Sequence, residues 1–271
     1  MTRDEKLAAI LAKEEYNARD LVTIVELLRL PGGCPWDREQ THQSLRRDMI
    51  EETYEVIEAI DANDPVLLRE ELGDALLQIV LHARIEEEEG RATFDAIAGD
   101  VCRKMIHRHP HVFGDVKAES VGEVLENWEN IKSAEKSRTK LTDKLTSIPR
   151  QFPALMRAAK VGKKAKVLDF PDAASVLEKM REELAEVEGA IAQGDENAVF
   201  EEMGDLLLTC ASLARFAGVD PEHALSAATD KFITRFATVE ELAVARGADL
   251  ALMSDAEKDV LWQEAKKTGK M

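Results

Sequence analysis

Glu201-Glu202-Met203-Gly204-Asp205 is a short acidic stretch that the chain contains twice. The earlier copy reads Glu70-Glu71-Leu72-Gly73-Asp74 and differs only at its third residue. In both copies a further glutamate, Glu186 or Glu55, lies sixteen positions before the second glutamate of the stretch. A carboxylate pattern that recurs at one spacing predicts a duplicated unit in which the acids have a chemical role.

Both acidic stretches lie within helical patterns. Apolar residues recur at three- and four-residue spacing along the chain, and the alternating pattern of a strand is not found. Aromatic residues make up only 5% of the sequence, and Ala, Leu, Glu and Lys are abundant. We therefore predict an all-α fold.

The composition restricts the partners. The 271 residues carry a formal net charge of −17, and binding to DNA or RNA depends on basic surface, so we expect no nucleic-acid partner. Three scattered cysteines favour a reducing compartment over disulfides or a zinc site. No apolar run approaches a membrane span of roughly 18 residues, and the charged start is unlike a signal peptide. We expect a soluble cytoplasmic protein with no membrane partner.

A polar linker (134–152) divides the chain into a first helical domain (17–133) and a second (153–271), and the resemblance described below sets residues 1–16 apart as an N-terminal extension. A compact turn is expected at 34–37. The predicted helices cover residues 3–30, 45–61, 65–89, 93–109, 120–133, 154–167, 173–192, 195–217, 221–246 and 255–267.

The two halves share more than their acids. In each half a Lys-x-x-x-Arg pattern and then a Trp-x-x-x-Lys pattern follow the carboxylates. These residues are Lys104, Arg108, Trp128 and Lys132 in the first half and Lys231, Arg235, Trp262 and Lys266 in the second. Any one pattern alone is usually a solvated helix face or a core tryptophan, but the shared order indicates a duplication.

The spacing of the carboxylates predicts a metal site. Residues three or four positions apart lie on one face of a helix, so Glu183 neighbours Glu186, and Glu202 neighbours Asp205. Antiparallel packing of the two helices would bring these carboxylates together, and they would repel each other unless paired or bound to a metal. The first-half counterparts are Glu52, Glu55, Glu71 and Asp74.

The absence of His or Cys near these acids favours a hard cation. Mg²⁺ is the expected ion and Mn²⁺ a substitute, and Mg²⁺ held by few carboxylates usually also holds substrate phosphates. The Lys and Arg one turn apart would clamp phosphate oxygens, and the Trp would stack on a base or line the pocket.

Some neighbouring residues are interpreted separately. Gly73 and Gly204 each cost a helix roughly 1 kcal/mol relative to Ala, so we expect a close helix crossing beside the acids. Glu201 points about 100° away from Glu202 and is left out of the metal site. A zinc cluster in Arg108-His109-Pro110-His111 is conceivable, but a helix-end turn with solvent-facing imidazoles is favoured.

The doubled carboxylate pattern resembles that of MazG, the tandem-domain nucleoside triphosphate pyrophosphohydrolases of bacteria. Three further stretches carry the likeness, which covers about residues 17–268: Cys34-Pro35-Trp36-Asp37, Arg108-His109-Pro110-His111-Val112-Phe113 and Leu155-Met156-Arg157-Ala158. The resemblance implies tandem all-α pyrophosphatase domains whose helical bundles form a homodimer. It also implies Mg²⁺-dependent hydrolysis of a broad range of (d)NTPs to monophosphate and pyrophosphate.

The resemblance assigns site residues as well, mainly in the second copy. The catalytic metal ligands match Glu183, Glu186, Glu202 and Asp205. The nucleotide contacts match Lys179, Lys231, Arg235, Trp262 and Lys266. A second site in the first copy would comprise Glu52, Glu55, Glu71, Asp74, Lys104, Arg108, Trp128 and Lys132.

Departures from the family pattern leave the preferred nucleotide open. Ala198 replaces a lysine found in a relative, and Leu168-Asp169-Phe170-Pro171 replaces a loop that often reads Gly-Phe-Asp-Trp. Lys179 precedes Glu183 by one turn, whereas Asp48 holds the matching position in the first copy. A cation there favours triphosphate binding, which points to the second copy as the active one.

Two other functions fit the sequence. One is a non-catalytic helical dimer that binds nucleotides or a protein partner and uses its carboxylates structurally. The other is a pyrophosphohydrolase restricted to dUTP or phosphoribosyl-ATP. The sequence determines neither the general base nor the number of metal ions per site.

Overall fold

The computed structural model describes residues 1–135 and 140–267. Every regular element within these ranges is a helix, and no strand occurs there, so the all-α prediction is confirmed. The chain separates into two compact units, Met1–Lys132 and Ser133–Met271. None of the described helices has the length and apolar character needed to cross a membrane.

The first unit contains the helices of the first acidic pattern. They are α1 (Arg3–Leu11), α2 (Ala18–Arg29), α3 (Pro35–Glu39), α4 (Arg46–Asp61), α5 (Pro65–Glu88), α6 (Phe94–Arg108), α7 (Pro110–Phe113) and α8 (Val121–Glu135), the last of which extends past the end of the unit. The pair α4 and α5 packs together, and α2 and α6 both contact α5. Helix α5 is therefore the centre of this unit.

The second unit repeats the paired acidic helices. Its helices are α9 (Leu141–Thr146), α10 (Ala154–Lys164), α11 (Ala173–Gln193), α12 (Glu196–Phe216), α13 (Pro221–Ala245) and α14 (Asp255–Lys267). The pair α11 and α12 packs together as α4 and α5 do, α10 contacts both α12 and α13, and α14 packs on α13.

The same turn joins the two acidic helices in each unit. Asn63 and Gly194 both adopt a left-handed conformation, with φ of 51° and 69°. The next residue, Asp64 or Asp195, caps the following helix by accepting hydrogen bonds from two of its first backbone N–H groups. A left-handed residue followed at once by a helix cap reverses the chain tightly, so it fixes which residues of the two helices face each other.

Each unit has its own apolar core. In the first unit Val25, Leu45, Val80, Leu81 and Ile85 form a buried cluster. The buried residues of α5 lie in its C-terminal half, where Ile79 is nevertheless 42% exposed, and Leu72 in its N-terminal half is 52% exposed. The core of the second unit lies between α13 and α14, where Val239, Ala243, Leu261 and Ala265 are buried together.

The predicted helices of the acidic pairs agree with the structure, but other segments differ. The single helix predicted over residues 3–30 is wrong. Asn17 begins a new helix there, because its side chain accepts hydrogen bonds from the backbone N–H groups of Arg19 and Asp20. The turn predicted at 34–37 contains α3, and the predicted linker 134–152 contains α9, a helix too short to show an apolar stripe. Residues 136–139 of that linker and residues 268–271 of the predicted second domain lie outside the described residues.

The N-terminal extension is anchored on α2 by polar contacts. Lys6 pairs with Glu26 at 2.5 Å, and Arg3 donates to the Gly32 carbonyl oxygen at 2.9 Å. Lys13 pairs at 2.5 Å with Asp20, which is only 6% exposed. The Lys13 ammonium holds the pKa of the Asp20 carboxyl below its usual range.

Replacing Lys13 with Met is therefore expected to lower the midpoint of unfolding at neutral pH, because it leaves a buried carboxylate without its cation. A lowered carboxyl pKa stabilises the fold above the unfolded-state value of about 4, and this contribution is lost as the pH falls through the folded-state pKa. The difference from wild type, measured by urea unfolding, should narrow progressively below about pH 4. Arg19→Met, which breaks the exposed pair with Asp95, is the control and should change little.

Candidate functional site

Three carboxylates meet in the second unit. Glu183 and Glu186 on α11 and Glu202 on α12 each offer an oxygen atom, and these atoms all lie within 4.8 Å of one another. We call this group the second carboxylate cluster. Glu183 is only 4% exposed, whereas Glu202 is half-buried and Glu186 is exposed. Asp205 lies one turn further along α12 and is not part of the cluster, so its role as a ligand stays a prediction.

Lys179 is the cation of this cluster. Its Nζ lies 2.9 Å from Glu183 Oε1, 2.7 Å from Glu182 Oε1 and 4.0 Å from Glu186 Oε2. These carboxylates raise the pKa of the Lys179 ammonium. The pKa of Glu186 is also raised, chiefly because its carboxyl loses part of its solvation, and Lys179 opposes this effect. Glu182 was not predicted as a site residue, although it lies three positions after Lys179 on the same helix.

The first unit has a matching cluster without a cation. Glu52 and Glu55 on α4 and Glu71 on α5 offer oxygen atoms within 4.8 Å of one another, and we call them the first carboxylate cluster. Burial raises the pKa of Glu52 most, followed by the negative charges of Asp74, Glu55 and Glu71. Burial and neighbouring acids also raise the pKa of Glu71. No Lys or Arg of the described ranges pairs with any of the three glutamates.

Gln78 is a neighbour of the first cluster that the sequence did not reveal. Its side chain is buried within α5, and a hydrogen bond from it to Glu52 works against the rise in the pKa of that carboxyl. Its amide oxygen Oε1 has no hydrogen-bond partner in the described part of the chain. A single glutamine within an apolar run was the only sequence signal for this position.

The predicted phosphate-binding cations of the second unit lie on α13 and α14. Lys231 and Lys266 are exposed and Arg235 is half-buried. Across residues 1–135 and 140–267 none of these three side chains forms an ion pair, and no contact joins them to the second carboxylate cluster. Their charges are therefore free to meet an anion.

Trp262 borders an open groove. The groove has a volume of about 810 Å³, and its lining includes Phe232, Phe236 and Trp262 together with the acidic residue Glu240. The rings of Phe232 and Trp262 are 5.2 Å apart between centroids. Aromatic walls suit a flat ring.

In the first unit the ring of the corresponding tryptophan, Trp128, is in contact with other side chains. The guanidinium of Arg108 lies 5.4 Å from the centre of the Trp128 ring, and His109 meets that ring edge-on at 4.9 Å. Arg108 is buried, Lys132 lies 3.9 Å from Glu129, and Lys104 is exposed. The two units thus present their equivalent residues differently.

Two expectations are wrong. A Cβ atom at Gly73 or Gly204 would meet nothing within 4 Å, so neither glycine permits a close helix crossing within the described residues. Both glycines lie on exposed faces, away from the contact between the paired helices. His107 is exposed as expected, but His109 and His111 are half-buried because they pack beside Trp128 and each other.

The donor atoms fit a divalent cation. Both carboxylate clusters offer oxygen atoms alone at mutual distances that one ion can span, and oxygen donors suit Mg²⁺ or Mn²⁺ rather than zinc. A doubly charged ion would also offset the desolvation and the mutual repulsion that raise the pKa values of these carboxyls.

Comparison with known proteins gives a consistent result. The model of the MazG nucleotide pyrophosphohydrolase domain matches residues 40–113 and 171–239. These ranges contain both carboxylate clusters but neither Trp128 nor Trp262. The chain is 43% identical over 249 residues to the nucleoside triphosphate pyrophosphohydrolase/pyrophosphatase MazG of Thermotoga maritima, covering 91% of this chain and 94% of the relative.

Two further relatives cover as much of this chain. The nucleoside triphosphate pyrophosphohydrolase of Escherichia coli K12 is 42% identical over 252 residues, which is 91% of this chain and 96% of the relative. An uncharacterised protein, YabN, of Bacillus subtilis is 47% identical over 249 residues and 91% of this chain. The match spans 51% of that relative, about half of its length.

Replacing Glu186 with Gln is expected to raise the midpoint of thermal unfolding in EDTA at neutral pH. Its raised pKa means that the ionised carboxyl is unfavourable in the folded protein, and this penalty disappears as the pH falls toward the unfolded-state value. The same variant should gain less stability than wild type when MgCl₂ replaces EDTA. Glu188→Gln, a control at an exposed position of α11, should show neither change. A lower midpoint for Glu186→Gln in EDTA would contradict this account.

Proposed function

This chain belongs to the MazG nucleotide pyrophosphohydrolase family, and we propose that it hydrolyses (d)NTPs to (d)NMPs and pyrophosphate with Mg²⁺ at the second carboxylate cluster. Mn²⁺ would substitute for Mg²⁺. The cluster itself carries the proposal, because it gathers three oxygen donors on two helices of one unit. A nucleotide also needs positive charge near its phosphates and a surface for its base. Lys231 and Arg235 of α13 would provide the charge, and the groove beside Trp262 would provide the surface.

Glu183, Glu186, Glu202 and Asp205 would hold the ion. Bound there, it would neutralise phosphate charge and make the α-phosphorus more electrophilic. One of the carboxylates would orient a water molecule and accept its proton as the water oxygen bonds to the α-phosphorus. The bond from that phosphorus to the bridging oxygen then breaks, and pyrophosphate leaves.

The basic residues of the second unit would bind the leaving group. Lys231 and Arg235 are one helical turn apart, so both can reach oxygen atoms of one polyphosphate. Lys266 would add a third positive charge. Trp262 would stack on the base at the edge of the groove, which favours a broad range of bases because every base has an aromatic face.

We assign turnover to the second unit rather than the first. Lys179 lies beside the second cluster, whereas Asp48 stands at the matching position of the first. Trp128 is covered by Arg108 and His109, so a base that stacked there would have to displace them. The first unit has the oxygen donors for an ion, but its tryptophan and arginine contact each other.

We also propose that two copies of the chain associate through apolar helix faces. Phe200, Met203 and Leu207 lie along one side of α12 and are 84%, 40% and 49% exposed. Ile50, Ile57 and Ile60 are similarly exposed on α4. Such stripes on helices that carry the carboxylate clusters favour a homodimer that buries them.

Glu202→Gln should lower the rate of pyrophosphate release from dNTPs and NTPs by about 100-fold or more, because it removes one charged ligand of the proposed ion. The measurement is steady-state hydrolysis with Mg²⁺ across a panel of nucleotides. Glu71→Gln makes the same change in the first cluster and should leave most of the activity.

The outcomes of this experiment separate the alternatives. Undiminished release by Glu202→Gln, or an equal loss in Glu71→Gln, would contradict the assignment to the second unit. Nucleotide binding without turnover by the wild type would favour the non-catalytic dimer. Turnover of dUTP or phosphoribosyl-ATP alone would replace the broad range with a narrow one.

Leu207→Glu should convert the dimer to a monomer in sedimentation velocity, because the contact would have to bury a charge at its centre. Leu11→Glu, at a residue that is 72% exposed on α1, is the matched control and should leave the dimer intact. A wild-type monomer, or a Leu207→Glu dimer, would overturn the proposed association.

A further inference from the structure

Lys179 occupies a place that a bound cation would take. Its ammonium lies within 2.9 Å of Glu183 and 2.7 Å of Glu182, and it reaches Glu186 at 4.0 Å. The Glu183 side chain is only 6% exposed, so its charge is poorly solvated without this partner. The Lys179 side chain is about one-third exposed, so the ammonium also has access to solvent.

We propose that Lys179 is a resident cation that competes with the divalent ion for the second carboxylate cluster and is released toward the triphosphate when that ion binds. The inference rests on the proposed function, in which Glu183, Glu186 and Glu202 hold the ion. Lys179 would act as a positioning residue, since it keeps the carboxylates together before the ion arrives.

The competition follows from the geometry. Glu183 and Glu186 each contribute to the triple of oxygen donors, and both carry a contact to the same ammonium. A divalent ion that takes these oxygen atoms needs their lone pairs and brings two positive charges close to Nζ, so it repels the ammonium. The four-carbon stem of lysine lets the ammonium swing away without moving α11.

The release of Lys179 couples the binding of the divalent ion to the binding of the nucleotide. Once Lys179 leaves the carboxylates, its charge is available to an anionic phosphate next to the ion. The ion should therefore strengthen nucleotide binding, and by linkage the nucleotide should strengthen ion binding by the same factor.

The first unit offers an internal comparison. Asp48 stands one turn before Glu52, at the position that corresponds to Lys179, and no described cation pairs with the first cluster. An ion there would meet no competitor, but its arrival would release no cation for a nucleotide.

Calorimetric titration of MgCl₂ without nucleotide tests the competition. In a Glu71→Gln background, which removes one donor of the first cluster, Lys179→Met should bind Mg²⁺ more tightly than its parent by about 5-fold or more. Lys179→Arg keeps the resident charge and should stay near the parent. Lys231→Met removes a cation that does not contact the cluster, and it should leave the Mg²⁺ affinity unchanged.

A nucleotide analogue that cannot be cleaved provides the second measurement. With saturating Mg²⁺, an α,β-methylene triphosphate should bind Lys179→Met more weakly than the parent. If Lys179→Met binds Mg²⁺ more tightly and the analogue more weakly, the results support displacement of Lys179 by the ion. Mg²⁺ affinity that is unchanged or lower in Lys179→Met overturns it.

A reciprocal variant covers the case in which Lys179→Met fails to fold. Asp48→Lys, in a Glu202→Gln background, places a cation beside the first cluster and should weaken Mg²⁺ binding there by a similar factor. An unchanged affinity in this variant also counts against the inference.

The outcomes distinguish the two proposals. If wild type hydrolyses nucleotides but neither lysine variant shifts Mg²⁺ affinity, only the proposal of Lys179 as a resident cation is wrong. If Mg²⁺ affinity shifts without any hydrolysis by wild type, the proposed function is wrong and the resident cation stands.

Discussion

The turn between the two acidic helices is the constraint on which both carboxylate clusters depend. A left-handed residue, Asn63 or Gly194, ends one helix, and the next residue caps the following one. Such a short connection leaves little freedom in the relative rotation of the two helices. One added or lost residue would rotate the second helix by about 100° and turn Glu71 or Glu202 away from its partners. Glycine tolerates the left-handed conformation readily, and asparagine is one of the few other residues that adopt it.

Bringing carboxylates together has an electrostatic cost that the two units meet differently. In the second unit an internal lysine supplies positive charge at the most buried glutamate. In the first unit no such cation is present among the described residues, and the pKa values of Glu52 and Glu71 are raised. Gln78 contributes a neutral hydrogen-bond donor, which offsets part of that rise. The pKa of Glu186 in the second unit is raised as well, but there Lys179 opposes the rise. The two clusters therefore share the arrangement of their glutamates but differ in the groups that offset their charge.

Local patterns in the sequence predicted the paired helices, because proline, glycine and helix caps act within a few residues. The helix predicted over 221–246 is observed at Pro221–Ala245 for this reason. The helical spacing also predicted the three glutamates of each cluster, but it added Asp74 and Asp205, which lie outside the clusters. The break before Asn17 was missed because residues 12–16 contain neither the proline nor the glycine that usually marks the end of a helix. The contacts of Lys179 with Glu182 and Glu183 follow the helical spacing of three and four residues. The burial of Arg108, by contrast, depends on packing between distant elements. No spacing rule contains that information, and the same limit explains the close helix crossing wrongly expected at Gly204.

The contact between Arg108 and Trp128 has a consequence for how the two halves respond to a common ligand. In the first half a planar ring that approaches the tryptophan competes with an intramolecular occupant, whose effective concentration is high because it is tethered to the same fold. In the second half the equivalent tryptophan borders an open groove. A planar ligand common to both halves would therefore occupy the second half at a lower concentration than the first.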